Sequence, residues 1–358
     1  DMETHLATLD TSKWEGYYRA SCWRYHNNNG GSGAKAYVYY MPMRYYNGQW
    51  QCLVIPESDI YFAFSGGEEV NGQGAVNIVN YFEENGIKLS FVVDEGGAVV
   101  ENVFPGVKQP CGLVGIAEKG YLDIEITVNA KGGHSSQPPV HSALGQLAEV
   151  IRDIEGHQFK AKLMPFAFDL FSNIGKNCTY PVRLFACNLP YIKPLLTYGM
   201  TKIPFTACFV RTTTAVTMAQ GSPAANVLPQ KASVVVNFRQ MPGTTVQDVI
   251  DHIRKVCRNK DIEIKVLKEK EASIFSPTDS RAFKIIEELC VQENKDAVVA
   301  PYLVMGGTDA CNYEPVCENI FRYSPFRASV ELLRCTHATN ERVPVTAVEP
   351  AVAFFKRY

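Results

Sequence analysis

The stretch Ile60–Gly97, "IYFAFSGGEEVNGQGAVNIVNYFEENGIKLSFVVDEGG", decides how the fold of this chain is read. It opens on a short apolar run, passes the glycine-flanked pair Glu68 and Glu69, and continues into an amphipathic segment closed by Gly86. A second apolar run then ends in Asp94 and a pair of glycines. Short apolar runs bounded by glycine and acid read as buried strands, and helical periodicity between them reads as a helix. Strand, helix and strand within about 35 residues predict a βαβ unit and a parallel sheet. In such sheets functional groups sit just beyond the carboxyl ends of the strands. Glu68, Glu69 and Asp94 all hold such positions, so three carboxylates are expected at one sheet edge.

Neighbouring carboxylates repel, and a fold keeps them together where something positive compensates. The plainer reading of a Glu-Glu pair is a solvated loop. Carboxylates with histidine suit zinc, above all in a site that holds two metals. Such a site needs ligating acids and histidines plus one carboxylate left off the metal as general base. The candidate histidines are His337, in "CTHATNERV", and His134, in the Gly/Ser/Pro loop "KGGHSSQPP". His141, His157 and His252 read as surface residues, and His26 lies in a polar Asn run.

The bulk numbers set the outer limits. With 358 residues, 46% hydrophobic and 20% charged, the chain has room for two cores in an ordinary globular balance. A formal net charge of −2 leaves no electrostatic footprint for nucleic acid or an anionic membrane. No apolar run approaches the roughly 18 residues of a membrane span, and the opening residues do not read as a signal peptide. The chain starts at Asp1 without Met, so an upstream segment is expected. Eleven cysteines without a CxxC pair favour free thiols over a disulfide framework. Cytoplasm is preferred to a secreted or vacuolar setting, although Asn177-Cys-Thr179 fits a glycosylation sequon.

Beyond Gly115 the pattern changes. "GYLDIEITVNA", "FTACFVRTTTAVTMA", "ASVVVNFRQ" and "DIEIKVLKE" read as strands, "HSALGQLAEVIRDIEG" and "TVQDVIDHIRKVC" as helices. Together they predict a small α+β sandwich, with helical segments inserted over 157–204. From about 275 the first pattern returns, with a helix in "SPTDSRAFKIIEELCVQE". The expected organisation is an α/β catalytic domain with a mainly parallel sheet, residues 1–113 and 273–358, interrupted by a lid domain at 114–272.

The blocks "AFSGGEEVNGQGA", "FVVDEGG", "EKGYLDIEITVNAKGGHSSQPP", "GSPAANVLPQKASVVVNFRQMPG", "MGGTDA" and "THATNERV" occur in one order. In that order they resemble the dinuclear-zinc aminoacylase/carboxypeptidase metallopeptidases. "FVRTTTAVT" and the long lid insertion resemble the carboxypeptidase S branch, which includes Gly-Xaa carboxypeptidase and N-fatty-acyl-amino-acid synthase/hydrolase. The resemblance covers about residues 55–358. It implies two zinc ions per subunit, Glu68 as general base, and Glu69, Asp94 and His337 as metal ligands. It implies that His134 reaches a neighbouring subunit's site in a homodimer paired through the lid. Asn226 and Arg239 match positions that hold the substrate's carbonyl and carboxylate, and Gly306, Gly307 and Thr308 match a loop at that same end. The expected activity is hydrolysis of an amide bond beside a free carboxylate, in a small peptide or N-acyl amino acid. The alternatives are a dipeptidase or aminoacylase, or an inactive homologue that only binds.

One block departs from the family. "GSGAKAYV" stands where the family has Gly-Arg-Gly-Ala-x-Asp-x-Lys, with Ser32 for the Arg, Ala36 for the metal-bridging Asp and Val38 for the Lys. For the family's His-x-Asp motif the preferred alignment makes Asp1 the acid, with its His expected before the chain start; the other uses "HLA" at His5–Ala7, which keeps a His, loses the Asp and shortens the spacing. The family's next helix should span about 38–52, where this chain carries Pro42 and Gly48. Two readings compete: a homologue that lost its bridging ligand, or identities over 15–55 that are not those of the gene. The second is preferred because the remaining site residues are intact, and an Asp found at position 36 by peptide mass spectrometry would support it.

Overall fold

The computed structural model describes residues 59–357 except 67, 69–71, 103, 105 and 181, together with the backbone of strands between residues 19 and 52. Its contacts divide the chain into two units, residues 1–89 and 90–358.

In the first unit, β1 (Arg19–Tyr25), β2 (Lys35–Met41) and β5 (Phe62–Phe64) form an antiparallel sheet in the order β1-β2-β5. β3 (Met43–Tyr46) and β4 (Gln49–Cys52) form a separate antiparallel pair. The strand expected at 59–64 is therefore shorter, and its described partner is antiparallel β2, with Ala36 opposite Phe64. The helix Gly74–Glu84 buries Ala75, Ile78, Val79 and Phe82, the spacing that periodicity predicts. Gly86, at φ 65°, takes up the left-handed turn just beyond it.

The second unit holds two sheets. One contains β6 (Val92–Asp94), β7 (Ala98–Glu101), β8 (Cys111–Glu118), β15 (Val298–Val304), β16 (Ile320–Arg322) and β17 (Arg327–Ser329). It is mixed: β15/β8, β16/β6 and β17/β7 are parallel, while β7/β8 and β16/β8 are antiparallel. The parallel neighbour of the "FVVDEGG" strand is thus β16, from the far end of the chain, rather than β5. This corrects the βαβ expectation: β5 and β6 belong to separate sheets, because each finds its hydrogen-bonding edge in a strand distant in sequence. Helix Arg281–Glu293 sets Ala282, Phe283, Ile286 and Leu289 into the core under this sheet, and helix Pro165–Lys176 adds Phe166, Ala167, Leu170 and Ile174.

The other main sheet is antiparallel, in the order β11 (Thr213–Gln220), β13 (Lys231–Arg239), β9 (Tyr121–Asn129), β14 (Ile262–Lys270). Alternate residues Leu122, Ile124, Ile126, Val128, Val234, Val236 and Phe238 meet helices Ala143–Gly156 and Val246–Val256. Ser142 caps the first helix, and Thr245 with Asp248 closes a capping box on the second. This is the expected α+β sandwich. "FTACFVRTTTAVTMA" differs from expectation: Pro204–Ala207 is a helical turn and strand begins only at Thr213, since Pro204 starts a helix readily but cannot donate to a ladder. A two-stranded ribbon, β10 (Gly133–His134) with β12 (Val227–Leu228), completes this region. Cys111, Cys257 and Cys290 are buried free thiols, and among the described residues no helix is long and apolar enough to cross a membrane.

Candidate functional site

Asp94 closes β6 with Arg322 of β16 as its register partner, and the Tyr323 N–H donates to the Asp94 carbonyl at 2.7 Å. Its carboxylate Oδ2 is shut away from solvent without a hydrogen-bond partner. Burial first, and then the adjacent Glu95, pushes the Asp94 carboxyl up to about 7, while the Thr308 hydroxyl beside it pulls the other way. A carboxylate in that setting either keeps its proton or faces a cation. An orphaned buried oxygen at a strand end therefore fits the place of a metal ligand.

Glu68 is half-buried after β5, and Glu69 lies outside the described residues. His337 is exposed, two residues past the helix Val330–Cys335, with φ 58°. Among the described residues no three His, Cys, Asp or Glu side chains gather as a metal site.

Beyond β15, Gly306 and Gly307 are exposed and Thr308 is buried. The Thr308 hydroxyl accepts from the Ala310 N–H at 3.1 Å and so caps the short helix Asp309–Tyr313. The Thr308 N–H donates to Glu118 Oε2 and its hydroxyl to Glu118 Oε1, each at 2.9 Å. Lys270 Nζ donates to the Thr308 carbonyl at 3.1 Å. Arg322 Nε donates to Glu118 Oε1 at 2.7 Å. Glu118 and Arg322 escaped the sequence reading; the one signal was an acid closing the otherwise apolar run "CGLVGIAE".

His134 and Asn226 are brought together on the ribbon. His134 pairs with Val227, and the Ser135 N–H donates to the Asn226 carbonyl at 3.0 Å. His134 Nδ1 accepts from the Ser136 N–H at 3.2 Å, which places the proton of the neutral ring on Nε2. Both residues are exposed. Arg239 is half-buried at the far end of β13, its guanidinium 4.5 Å from the Tyr121 ring centre. Next to it, Gln240 and Gly120 exchange backbone bonds, and the Lys119 N–H donates to Val304, so Arg239 lies at the junction that leads into Gly306–Thr308. The nine residues of β13 span about 27 Å of extended chain between the ribbon end and Arg239. Within one protomer, therefore, Arg239 is grouped with the Thr308 loop and not with His134 and Asn226. His252, expected on the surface, is half-buried: it stacks on Phe159 at 4.0 Å and bonds the His157 carbonyl at 2.7 Å, and burial lowers its pKa.

Residues 116–265 match the family model described as the peptidase dimerisation domain. The wider chain is similar to a probable carboxypeptidase S-like protein of Dictyostelium discoideum, 36% identical over 304 residues, covering 84% of this chain and 58% of that one. An N-fatty-acyl-amino acid synthase/hydrolase of Xenopus tropicalis is 33% identical over 308 residues, with 84% and 59% covered. The chain thus spans less than two thirds of the length of these curated relatives, 58% and 59%. The structure of an M20 family metallo-carboxypeptidase from Sulfolobus solfataricus shares the fold, with a TM-score of 0.53 at 18% identity, covering 78% of this chain and 65% of that one. These matches bear out the metallopeptidase resemblance and the zinc-peptidase-like α/β fold with its dimerisation domain.

Proposed function

We propose that this chain is part of a zinc-dependent metallohydrolase that cleaves the amide bond beside a free carboxylate. The observation that carries this reading is the buried Asp94 Oδ2, which has no hydrogen-bond partner, next to Thr308 and its loop. The names of the Dictyostelium and Xenopus relatives support a carboxypeptidase or an N-acyl-amino-acid hydrolase. The substrate would be a small peptide or an N-acyl amino acid.

Asp94, Glu69 and His337 would hold the metal, with two zinc ions per subunit. Zinc, when bound, would polarise the scissile carbonyl and acidify water. Glu68 takes the proton from the attacking water and hands it to the leaving amine. Arg239 pairs bidentately with the substrate carboxylate, and Gly306, Gly307 and Thr308 line that end. His134 Nε2 donates to the developing oxyanion, with Asn226 beside it. The length of β13 between these two groups supports service in trans: His134 and Asn226 complete the site of a partner in a homodimer joined through the lid at 114–272. The catalytic domain would then comprise 1–113 and 273–358.

One observation favours a second reading, a binding protein without catalysis. Ala36, where the bridging acid belongs, pairs with Phe64 four residues before Glu68. Zinc analysis of the purified protein, together with release of amino acid from an N-acyl substrate, decides between them. About two zincs per chain and turnover support the enzyme; no zinc and no turnover support the binding protein.

A further inference from the structure

Glu118 and Arg322 are 2% and 1% exposed, and they pair 204 residues apart in sequence. Removing two charges from water is expensive, and a well-packed apolar pair often does as well for stability. What an apolar pair could not do is hold a loop. Glu118 spends its acceptors on Arg322 Nε, the Thr308 hydroxyl and the Thr308 N–H. Lys270 grips the carbonyl of the same threonine. Thr308 is therefore held at its N–H, its side chain and its C=O, while Gly306 and Gly307 just before it are exposed. The Thr308 hydroxyl donates to Glu118 Oε1 and accepts from the Ala310 N–H, so both of its roles are committed within this network.

We infer that Glu118, backed by Arg322, is a positioning residue that fixes the Gly306–Gly307–Thr308 loop for the substrate's carboxylate. The inference rests on the functional reading given above for that loop. Glu118 itself touches neither substrate nor metal; it acts through Thr308. Recognition of a carboxylate by a short loop depends on where its N–H groups point, and Glu118 sets that direction from below.

The test uses the full-length, zinc-loaded protein with Glu118→Gln, Glu118→Asp and the double variant Glu118→Gln/Arg322→Met. The double variant removes both buried charges and so guards against simple unfolding. An N-acyl amino acid and its carboxamide analogue serve as substrates, and backbone amide exchange is followed over 304–312. Positioning predicts that KM for the acid rises by about tenfold with kcat within about twofold, while the carboxamide is little affected. It also predicts that the Thr308 amide exchanges at least about tenfold faster in both Gln variants, with partial recovery in Glu118→Asp. A lower melting temperature with unchanged KM and unchanged Thr308 exchange would overturn the inference in favour of a purely structural pair. If the wild-type protein neither turns over nor binds the acid, the functional reading fails. The exchange measurement still decides by itself whether Glu118 holds the loop.

Discussion

Arg322 stands in register with Asp94 on the adjacent parallel strand, yet its guanidinium bonds Glu118, at 2.7 Å from Nε to Oε1. That guanidinium is thereby committed to Glu118, and an Asp94 oxygen remains buried and unpartnered. On the function proposed above, that oxygen is where a metal ion would bind.

Replacing Asp94 tests that reservation. Asp94→Asn keeps the shape and loses the charge, so bound zinc should fall to about half the wild-type content or lower, with affinity down by at least tenfold, or about 1.4 kcal/mol. Metal analysis after desalting measures it. Wild-type zinc content in Asp94→Asn would remove Asp94 from the ligand set.

Lys119 offers a pH signature. It is buried, its Nζ donates to the carbonyls of Cys208 and Arg211 at 3.0 Å each, and burial pushes its pKa down to about 8 from an ordinary 10.5. The unfolded chain takes up this proton near pH 10.5 and the folded one only near 8. Its contribution to stability is therefore full above 10.5 and is lost as the pH falls to 8 and below. Urea midpoints of wild type should climb relative to Lys119→Met between these limits. Parallel curves would show that Lys119 does not titrate across the transition.

His134 in trans makes a prediction about mixtures. Glu68→Gln and His134→Ala homodimers should each be nearly inactive. Mixed and allowed to exchange subunits, they should regain about a quarter of wild-type activity, because half the dimers are hybrids and each hybrid has one complete site. Absence of recovery, with hybrid formation verified by mass spectrometry, would place His134 in its own subunit's site or outside catalysis.

Gly97 is a packing requirement. A Cβ there would collide with the backbone carbonyl oxygens of Leu113 and Arg322, and backbone yields less readily than a side-chain tip. Gly97→Ala should destabilise by about 1–3 kcal/mol in a denaturant melt. Gly133→Ala, which meets only open space, should stay within about 0.5 kcal/mol. Equal midpoints for the two would show that the sheet around Gly97 relaxes.

Several elements were legible because their causes are local. The helix at Val246–Val256 carries its own capping box and a narrow apolar face, and β9 and β13 alternate so regularly that one register satisfies the core. Asp94 at the end of β6 was legible for the same reason, since glycine and acid after an apolar run mark a strand's exit. The α+β sandwich was likewise legible, because its pattern differs in kind from the flanking α/β segments.

Pairing was not legible in that way. "FVVDEGG" reads as a strand from its own letters, but its partner β16 lies more than 200 residues later, and nothing local distinguishes β16 from β5 as the neighbour. His252 reads as a surface residue on a polar helix face until Phe159 arrives to stack on it. Glu118 ends an apolar strand like any boundary residue until Arg322 and Thr308 arrive from the chain's last third.

By itself, then, the sequence determined the chemical inventory: acids at strand ends, a histidine in a Gly/Ser/Pro loop, an arginine closing a strand, and an inserted sandwich. Only the tertiary structure decided which of these share a neighbourhood. It grouped His134 with Asn226, set Arg239 at the other end of β13 by the Thr308 loop, and enlisted Glu118 to hold that loop. The physical reason is that helix caps and strand alternation are written in neighbouring residues. Strand pairing and buried charge compensation are settled between residues that meet only once the chain has folded.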